Sequence, residues 1–449
     1  MRLIDDSAAR GRRTSAPGKV HHFYPLAYVI SLCALLMFAV LTFGAVETWS
    51  TSILEIGAAL LFVGMIVHRV CISGAHLRWN PLYPPMLGFA GVLAAQLALN
   101  LTAYRYVTLV VCLQYLAYGM LLVTANQVVA DERSGKILVL AFSIFGSTVA
   151  LFAICQNWNP ALRMPWLRPL GPGTESLIFG TYMSHDHYAG LMELLTPLAL
   201  VLSLSRLVHG GQRILAACGA VIMAGSLVLS LSRGGTISLF VELALLVWMT
   251  STVQKGAHAR TRVLFLVTAI LAFIAFIGSS AMWRGLGHLH DVVRLDIWKD
   301  SLRMFARKPI FGWGFGTFQN VYPGFRSFYT VYFINAAHND YIQVLVETGL
   351  VGFCCAAWFI VVTYRNGLKV FSHGDREWLG VLRTASLVGC TGMLVHSLLD
   401  FNLQVPANAA LFYIFCALAS GLPAKSGGLD IQRVPDLQAG VLRLDIVDD

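Results

Sequence analysis

The chain has 449 residues, of which 57% are hydrophobic and only 12% charged; soluble proteins carry about 25% charged residues. With a mean hydropathy of +0.68, it cannot cover a water-facing surface, nor match the low hydrophobicity and high charge of disorder. The net charge of +9 comes without the basic runs interleaved with aromatics that nucleic-acid binding favours, so a polytopic membrane protein with basic cytoplasmic loops remains.

A membrane core of about 30 Å needs roughly 20 apolar residues per helix. Twelve such stretches are predicted, at about 25–45, 51–68, 82–100, 105–126, 137–156, 186–205, 213–231, 235–251, 262–280, 338–363, 384–400 and 405–421. The first is too long for the apolar core of a signal peptide and no small-residue cleavage site follows it, so it is expected to stay as an anchor. The stretch 213–251 is split at Arg233-Gly234-Gly235, because one helix of that length would overshoot the bilayer. Arg2, Arg10, Arg12, Arg13 and Lys19 precede the first span. Placing them in the cytoplasm puts most basic residues inside and predicts both termini there. The fold class expected is therefore all-α, a bundle of about twelve transmembrane helices. Residues 1–24 and 422–449 read as cytoplasmic tails around a membrane domain spanning 25–421.

Two long loops are expected outside, at about 157–185 and 281–337. The first is rich in Asn, Pro and Gly. The second holds an amphipathic stretch, 294–307, with Leu295, Trp298, Leu302 and Phe305 at helical spacing; it is expected to lie along the membrane surface or cap the bundle ahead of the tenth span. Gly312-Trp313-Gly314-Phe315-Gly316 follows Pro309. No strand precedes this turn, so it is not read as a nucleotide loop. The nine cysteines lie in or beside apolar stretches without zinc-like spacing and read as buried small hydrophobes.

Ionisable groups at membrane depth cost about 2.5–3.5 kcal/mol each and are functional candidates by default. They are Glu55, Glu193, Arg233, Glu242, Glu347 and Asp400, with His185, His187, His338 and His396 near helix ends. Arg233 sits in Ser232-Arg233-Gly234-Gly235. The two glycines are expected to break the helix and let backbone approach a ligand, beside the N-terminal amides of the next helix. That suits a phosphate; the alternative is an arginine reaching to the interface. Arg294 heads the amphipathic stretch, as a second anion clamp or a solvated surface charge. His338 opens the tenth span, where a histidine can act as a general base or be a hydrogen-bonded interfacial residue. On an unbroken helix Gly349 lies about 20° and Gly352 about 40° from His338, while Glu347 points nearly the opposite way, about 14 Å deeper. His338, Tyr341, Gly349 and Gly352 would thus share a close-packing stripe. His185-Asp186-His187 admits a metal reading, with His288 or His290 completing the set, but helix capping suits it better.

Several of these segments together resemble the O-antigen ligase/polymerase family of bacterial membrane glycosyltransferases. They are Ser232-Arg233-Gly234-Gly235, the stretch from Arg294 through Trp298 and Pro309 to Gly316, and His338-Asn339 followed at the family's spacing by Gly349-Leu350-Val351-Gly352. Asp400-Phe401-Asn402-Leu403-Gln404 with Pro406-Ala407-Asn408 fits too. The similarity is most specific over 180–410; the Ser184–His187 segment departs from it, standing where asparagine-rich sequence is expected.

The resemblance implies an enzyme of the inner membrane, with its site facing the periplasm, that takes a glycan from undecaprenyl pyrophosphate. It passes that glycan to an acceptor hydroxyl, commonly on lipid A–core, using no metal, cofactor or nucleotide. Arg233 and Arg294 would hold the pyrophosphate and His338 would activate the acceptor. Asn339, Tyr341, Gly234, Gly235, Gly349 and Gly352 would support them. A ligase joining a finished glycan to lipid A–core is the leading expectation. A polymerase of the same family and a lipid-linked sugar transporter are the alternatives. A transporter should place charges near the midplane and show a repeat between halves; here the sharpest motifs cluster at outside helix ends.

Overall fold

The computed structural model describes residues 23–72, 76–159, 162, 178–253, 264, 267, 268, 272, 289–330, 333–370 and 377–421. They are helical, and no strand element occurs among them. The helices are α1 (Phe23–Leu41), α2 (Thr48–Ile66), α3 (Tyr83–Ala98), α4 (Arg105–Val128), α5 (Glu132–Trp158), α6 (His185–Leu204), α7 (Gly210–Leu229) and α8 (Arg233–Val253). After them come α9 (Leu289–Arg307), a one-turn helix Phe318–Val321, α10 (Asp340–Val370), α11 (Trp378–His396) and α12 (Pro406–Ser420). Eight helices are long and apolar enough to cross a membrane, and two more, Leu26–Leu41 and Pro406–Ser420, are apolar but shorter. The expected ninth span, 262–280, lies outside the described residues except at 264, 267, 268 and 272. So do most of the first long loop and both expected tails, apart from Phe23 and Tyr24, which begin α1.

Burial separates the centre of the bundle from its lipid face. In α6, 89% of the apolar window is buried, against 22% in the second span, which places α6 at the centre. It packs against α5, α7, α8 and α11. On α2 the row Ile53, Ile56, Leu60 and Val63 is exposed; at these spacings it forms one helix face, suited to hydrocarbon. The same division corrects the reading of the cysteines. Cys33, Cys390 and Cys416 are buried, but Cys71, Cys155, Cys218 and Cys354 are exposed on the helix surfaces. In lipid a thiol can face outward as readily as an alkyl group, so hydrophobicity did not imply burial.

Local chemistry fixes several helix starts. Asp131 caps α5 by accepting from the Ser134 amide at 2.8 Å, and Ser184 caps α6 by accepting from the Asp186 amide. Pro406 stands in the first turn of α12, where its missing N–H costs nothing.

The amphipathic helix is present as α9, and its inner face follows the apolar spacing only in part: Phe305 packs against the buried cluster and Trp298 Nε1 donates to Ala337 O at 2.9 Å. Ile297, Asp300, Ser301 and Met304 are buried, whereas Leu295 and Leu302 remain about half exposed. Ile297 and Met304 pack with Phe318, Tyr322, Ala337 and Val346. Asp300 holds the loop beyond, accepting from Ser327 N at 2.9 Å and Ser327 Oγ at 3.1 Å. A charged residue lies inward because it is hydrogen-bonded there, and an apolar pair is left outward on the side away from this cluster.

α10 is not one continuous helix. Gly349 has φ 64° and ψ −169°, a conformation that favours glycine. The break exposes backbone groups that the glycine-rich turn takes up. Trp313 N donates to Val346 O at 3.1 Å and Gly314 N to Glu347 O at 2.9 Å, while Leu350 N donates to Pro309 O at 2.8 Å and Val351 N to Ile310 O at 3.2 Å. Glu347 completes the joint, its carboxylate accepting from Gly316 N at 2.9 Å and Phe318 N at 3.1 Å. The expected stripe through His338, Gly349 and Gly352 is therefore corrected. Gly349 sits against Ile310 backbone, and Gly352 against Thr348 of its own helix. Helical phase cannot be carried across a residue that leaves the helix.

Candidate functional site

Three sequence-predicted residues converge on one short turn, 396–401, between α11 and α12. His338 precedes α10 with φ 50°, an uncommon conformation that histidine tolerates better than most residues. Asn339 then caps α10: its Oδ1 accepts from Ile342 N at 3.0 Å and its Nδ2 donates to Leu398 O at 2.8 Å. Asp340 N donates to Ser397 O at 2.9 Å, and the Tyr341 hydroxyl to Leu394 O at 2.8 Å. Asn339 and Tyr341 thus pin the start of α10 to the end of α11. His338 lies just outside the helix, aimed across the turn.

His338 Nδ1 lies 3.1 Å from Asp400 Oδ1, with side-chain exposures of 30% and 4% respectively. Burial works against ionisation of Asp400. The His338 hydrogen bond, with the nearby His187, His338 and His396 charges, outweighs it and holds the carboxyl below its usual range. Phe401 packs edge-on against both rings, 4.9 Å from His338 and 4.8 Å from His187. On the far side of the turn, Arg294 Nη1 donates to Leu399 O at 2.9 Å.

Arg233 is the exposed first residue of α8. The break before it differs from the expected one. Leu231, with φ 61°, turns the chain, and Gly234 and Gly235 lie inside the first helical turn. Their role is close packing: a side chain on Gly234 would meet the His396 ring, and one on Gly235 would meet Ala189 at 2.6 Å. Ser232 Oγ accepts from Gly235 N at 3.1 Å, donates to Asp186 Oδ1 at 2.5 Å and lies 3.4 Å from His396 Nε2. His396 Nδ1 in turn meets Glu193 Oε1 at 2.7 Å, with both side chains buried.

Asp186, His396 and Asp400 each offer one ligand atom, all within 4.8 Å of one another. This set differs from the His185/His187 reading, whose further members, His288 and the side chain of His290, lie outside the described residues. His185 instead approaches Asp186 at 3.6 Å, and the His187 carbonyl accepts from Asn408 Nδ2 at 2.9 Å.

Residues 218–357 match the family described as O-Antigen ligase. A comparison with curated proteins finds no match. The matched stretch holds Arg233, Arg294, His338, Gly349 and Gly352, and stops before the turn that Arg294 and His338 contact. Glu193 and His396 stood out in the sequence only as ionisable groups in or beside apolar spans, and Asp400 also as part of a family-like segment, none with an assigned role. The one signal pointing to their use was the cost of burying them.

Proposed function

We propose that this O-antigen ligase family protein transfers a glycan from undecaprenyl pyrophosphate to an acceptor hydroxyl at the periplasmic face of the inner membrane, with lipid A–core as acceptor. The observation that carries this reading is the His338–Asp400 pair at 3.1 Å, on the turn that also receives Arg294 and packs beside Gly234.

Asp400 holds the Nδ1–H of His338, leaving Nε2 as the basic nitrogen. The acceptor oxygen forms a bond to the sugar C1 while the bond from C1 to the phosphate oxygen breaks. The hydroxyl proton passes to His338 Nε2, and undecaprenyl pyrophosphate departs. Charge grows on the pyrophosphate as that bond breaks, so Arg233 and Arg294 contribute most in the transition state.

The test is the lipid-linked glycan pool of the native host carrying His338→Ala, compared by mass with wild type. Accumulation of long undecaprenyl-linked polymers over bare lipid A–core is the expected result. Accumulation of single repeat units would instead make the protein a polymerase. An unchanged pool with normal surface glycans, at equal expression, overturns the role of His338.

A further inference from the structure

The starts of α6 and α8 and the end of α11 gather ligand groups that the transfer chemistry uses only through Asp400. Asp186, His396 and Asp400 each bring one ligand atom within 4.8 Å of the others. The His396 side chain is 1% exposed, and its two nitrogens have different neighbours. Nδ1 meets Glu193 Oε1 at 2.7 Å, so that carboxylate holds the Nδ1 proton. Nε2 then turns its lone pair toward Asp186 and Asp400. Among the described residues its hydrogen-bonding neighbour is Ser232 Oγ at 3.4 Å. That hydroxyl has a single proton, directed to Asp186 Oδ1 at 2.5 Å. Nε2 is thus a buried lone pair beside two carboxylates with no donor to meet it. A buried polar atom needs a partner, and the carboxylates require that partner to be a cation. A carboxylate on the far nitrogen is also what fixes the tautomer and orientation of a metal-ligating histidine.

Two more imidazole nitrogens flank the cluster. His185 Nδ1 and His187 Nε2 are buried without a hydrogen-bond partner among the described residues. His185 Nδ1 lies 3.6 Å from Asp186 Oδ1. His187 packs on Phe401, next to Asp400, and Asp400, Asp186 and His396 lie near enough to act on its charge. A proton on His396 Nε2 would satisfy that nitrogen alone. A metal ion engages His396, both carboxylates and a histidine of α6 together, and mixed imidazole and carboxylate ligands suit zinc. Tetrahedral zinc with bonds of about 2.0–2.2 Å holds its ligand atoms roughly 3.4 Å apart, so ligation needs a closure of at most about 1.5 Å, which a carboxylate rotation covers.

We propose that Asp186, His396 and Asp400, with His185 as fourth ligand, bind one divalent transition-metal ion, and that the bound ion blocks transfer. The second half rests on the glycosyl-transfer reading above. Asp400 Oδ1 meets His338 Nδ1 at 3.1 Å. An ion that draws Asp400 toward Asp186 and His396 takes the orienting carboxylate away from that ring. The ion is then an inhibitor and not a cofactor.

The test uses the purified full chain, without a histidine tag, in nanodiscs, with zinc as the probe. Zinc is titrated against a competing chromophoric chelator, and bound metal per chain is counted by elemental analysis. Wild type should hold one zinc per chain at a saturable site. Asp186→Asn should weaken it at least about tenfold, and Glu193→Gln, which keeps a hydrogen-bond partner for His396 but not the charge, by about 10–100-fold. His185→Gln repeats the test should Asp186→Asn fail to fold. Transfer is then measured in chelator and in saturating zinc. Zinc should abolish transfer by wild type and spare Asp186→Asn, which keeps its basal rate. Absence of a saturable site, or zinc affinity unchanged in folded Asp186→Asn, overturns the proposal and leaves a proton as the cation on His396. Zinc held at this site with transfer unchanged overturns the inhibition. Binding is read without turnover: a wild-type protein that binds zinc through these residues but transfers no glycan in chelator would refute the transferase reading and leave the metal site standing.

Discussion

His338 and Asp400 are 62 residues apart in the chain and 3.1 Å apart in the fold. The contact is made by two segments that are not helical, the residue before α10 and the turn after α11. Asn339 and Tyr341 tie those segments together through the Leu398 and Leu394 carbonyls. The imidazole is thereby oriented by a nearly buried carboxylate while its ring remains partly exposed, the arrangement a general base needs to meet an incoming hydroxyl.

Replacing His338 by Ala should lower kcat by about 10²–10⁴, with the KM for lipid-linked donor nearly unchanged. Asp400→Asn should lower kcat by a smaller factor, because the amide keeps the contact but does not stabilise the imidazolium. Steady-state transfer assays on the purified variants read both effects. Equal KM increases without loss of kcat would place these residues in binding rather than in proton transfer.

Asp400 should also make stability depend on pH. Its carboxyl titrates below its usual range in the folded protein. Its contribution is then present above the unfolded carboxylate pKa and lost as pH falls through the depressed folded value. Asp400→Asn is expected to destabilise the protein by about 1–3 kcal/mol at neutral pH, as for loss of a charged hydrogen bond. The difference should narrow on acidification below about pH 4. Thermal unfolding in detergent across a pH series measures it; a gap that widens with acid contradicts the assignment.

Among the described residues Arg294 donates one N–H to the Leu399 carbonyl, and its planar fork has further donors that can meet a ligand. Arg294→Lys should therefore rescue little of the loss caused by Arg294→Ala, since an ammonium cannot bridge backbone and pyrophosphate in the same way. Donor titrations of both variants check this, and full activity of the lysine variant would reduce Arg294 to a general positive charge.

Gly349→Ala should be among the most disruptive single-methyl changes in the chain. Its φ of 64° disfavours a side chain, and the added carbon would meet the Ile310 carbonyl. A cost of at least about 1–3 kcal/mol is expected from the backbone conformation. Gly91→Ala, on the same scale of change, meets nothing within 4 Å and serves as the control. Comparing their unfolding temperatures isolates the joint between α10 and the glycine-rich turn.

Glu193→Ala removes the partner of a fully buried histidine. Breaking a buried pair on one side costs about 3–5 kcal/mol, so lower yield and earlier unfolding are expected. The double variant Glu193→Leu with His396→Leu should recover part of that stability without recovering activity.

Membrane character was legible from composition, and most helices from the length of their apolar runs, because hydrocarbon demands continuous apolar sequence. Arg233, Arg294 and His338 were legible as candidates because glycine turns and buried charges are rare in such sequence. Their supporting geometry was not. Helical phase placed Gly349 and Gly352 beneath His338, but Gly349 leaves the helix and serves the 309–316 turn. Apolar spacing on α9 put Leu295, Trp298, Leu302 and Phe305 on one stripe, but Leu295 and Leu302 are exposed while Asp300 and Ser301 are buried. The period of a pattern says nothing about which neighbour satisfies a polar group.

The sequence by itself determined an all-helical bundle with spans suited to a membrane, and the set of ionisable residues expensive enough to need a purpose. Only the tertiary structure decided that His338, Asp400 and Arg294 meet at the 396–401 turn. Its residues carry no local periodicity, and its hydrogen bonds run to segments distant in the chain. The partnerships of Asp400 with His338 and of His396 with Glu193 depend on how α6, α8, α10 and α11 pack. Packing is a property of all those surfaces together, which no single stretch of sequence encodes.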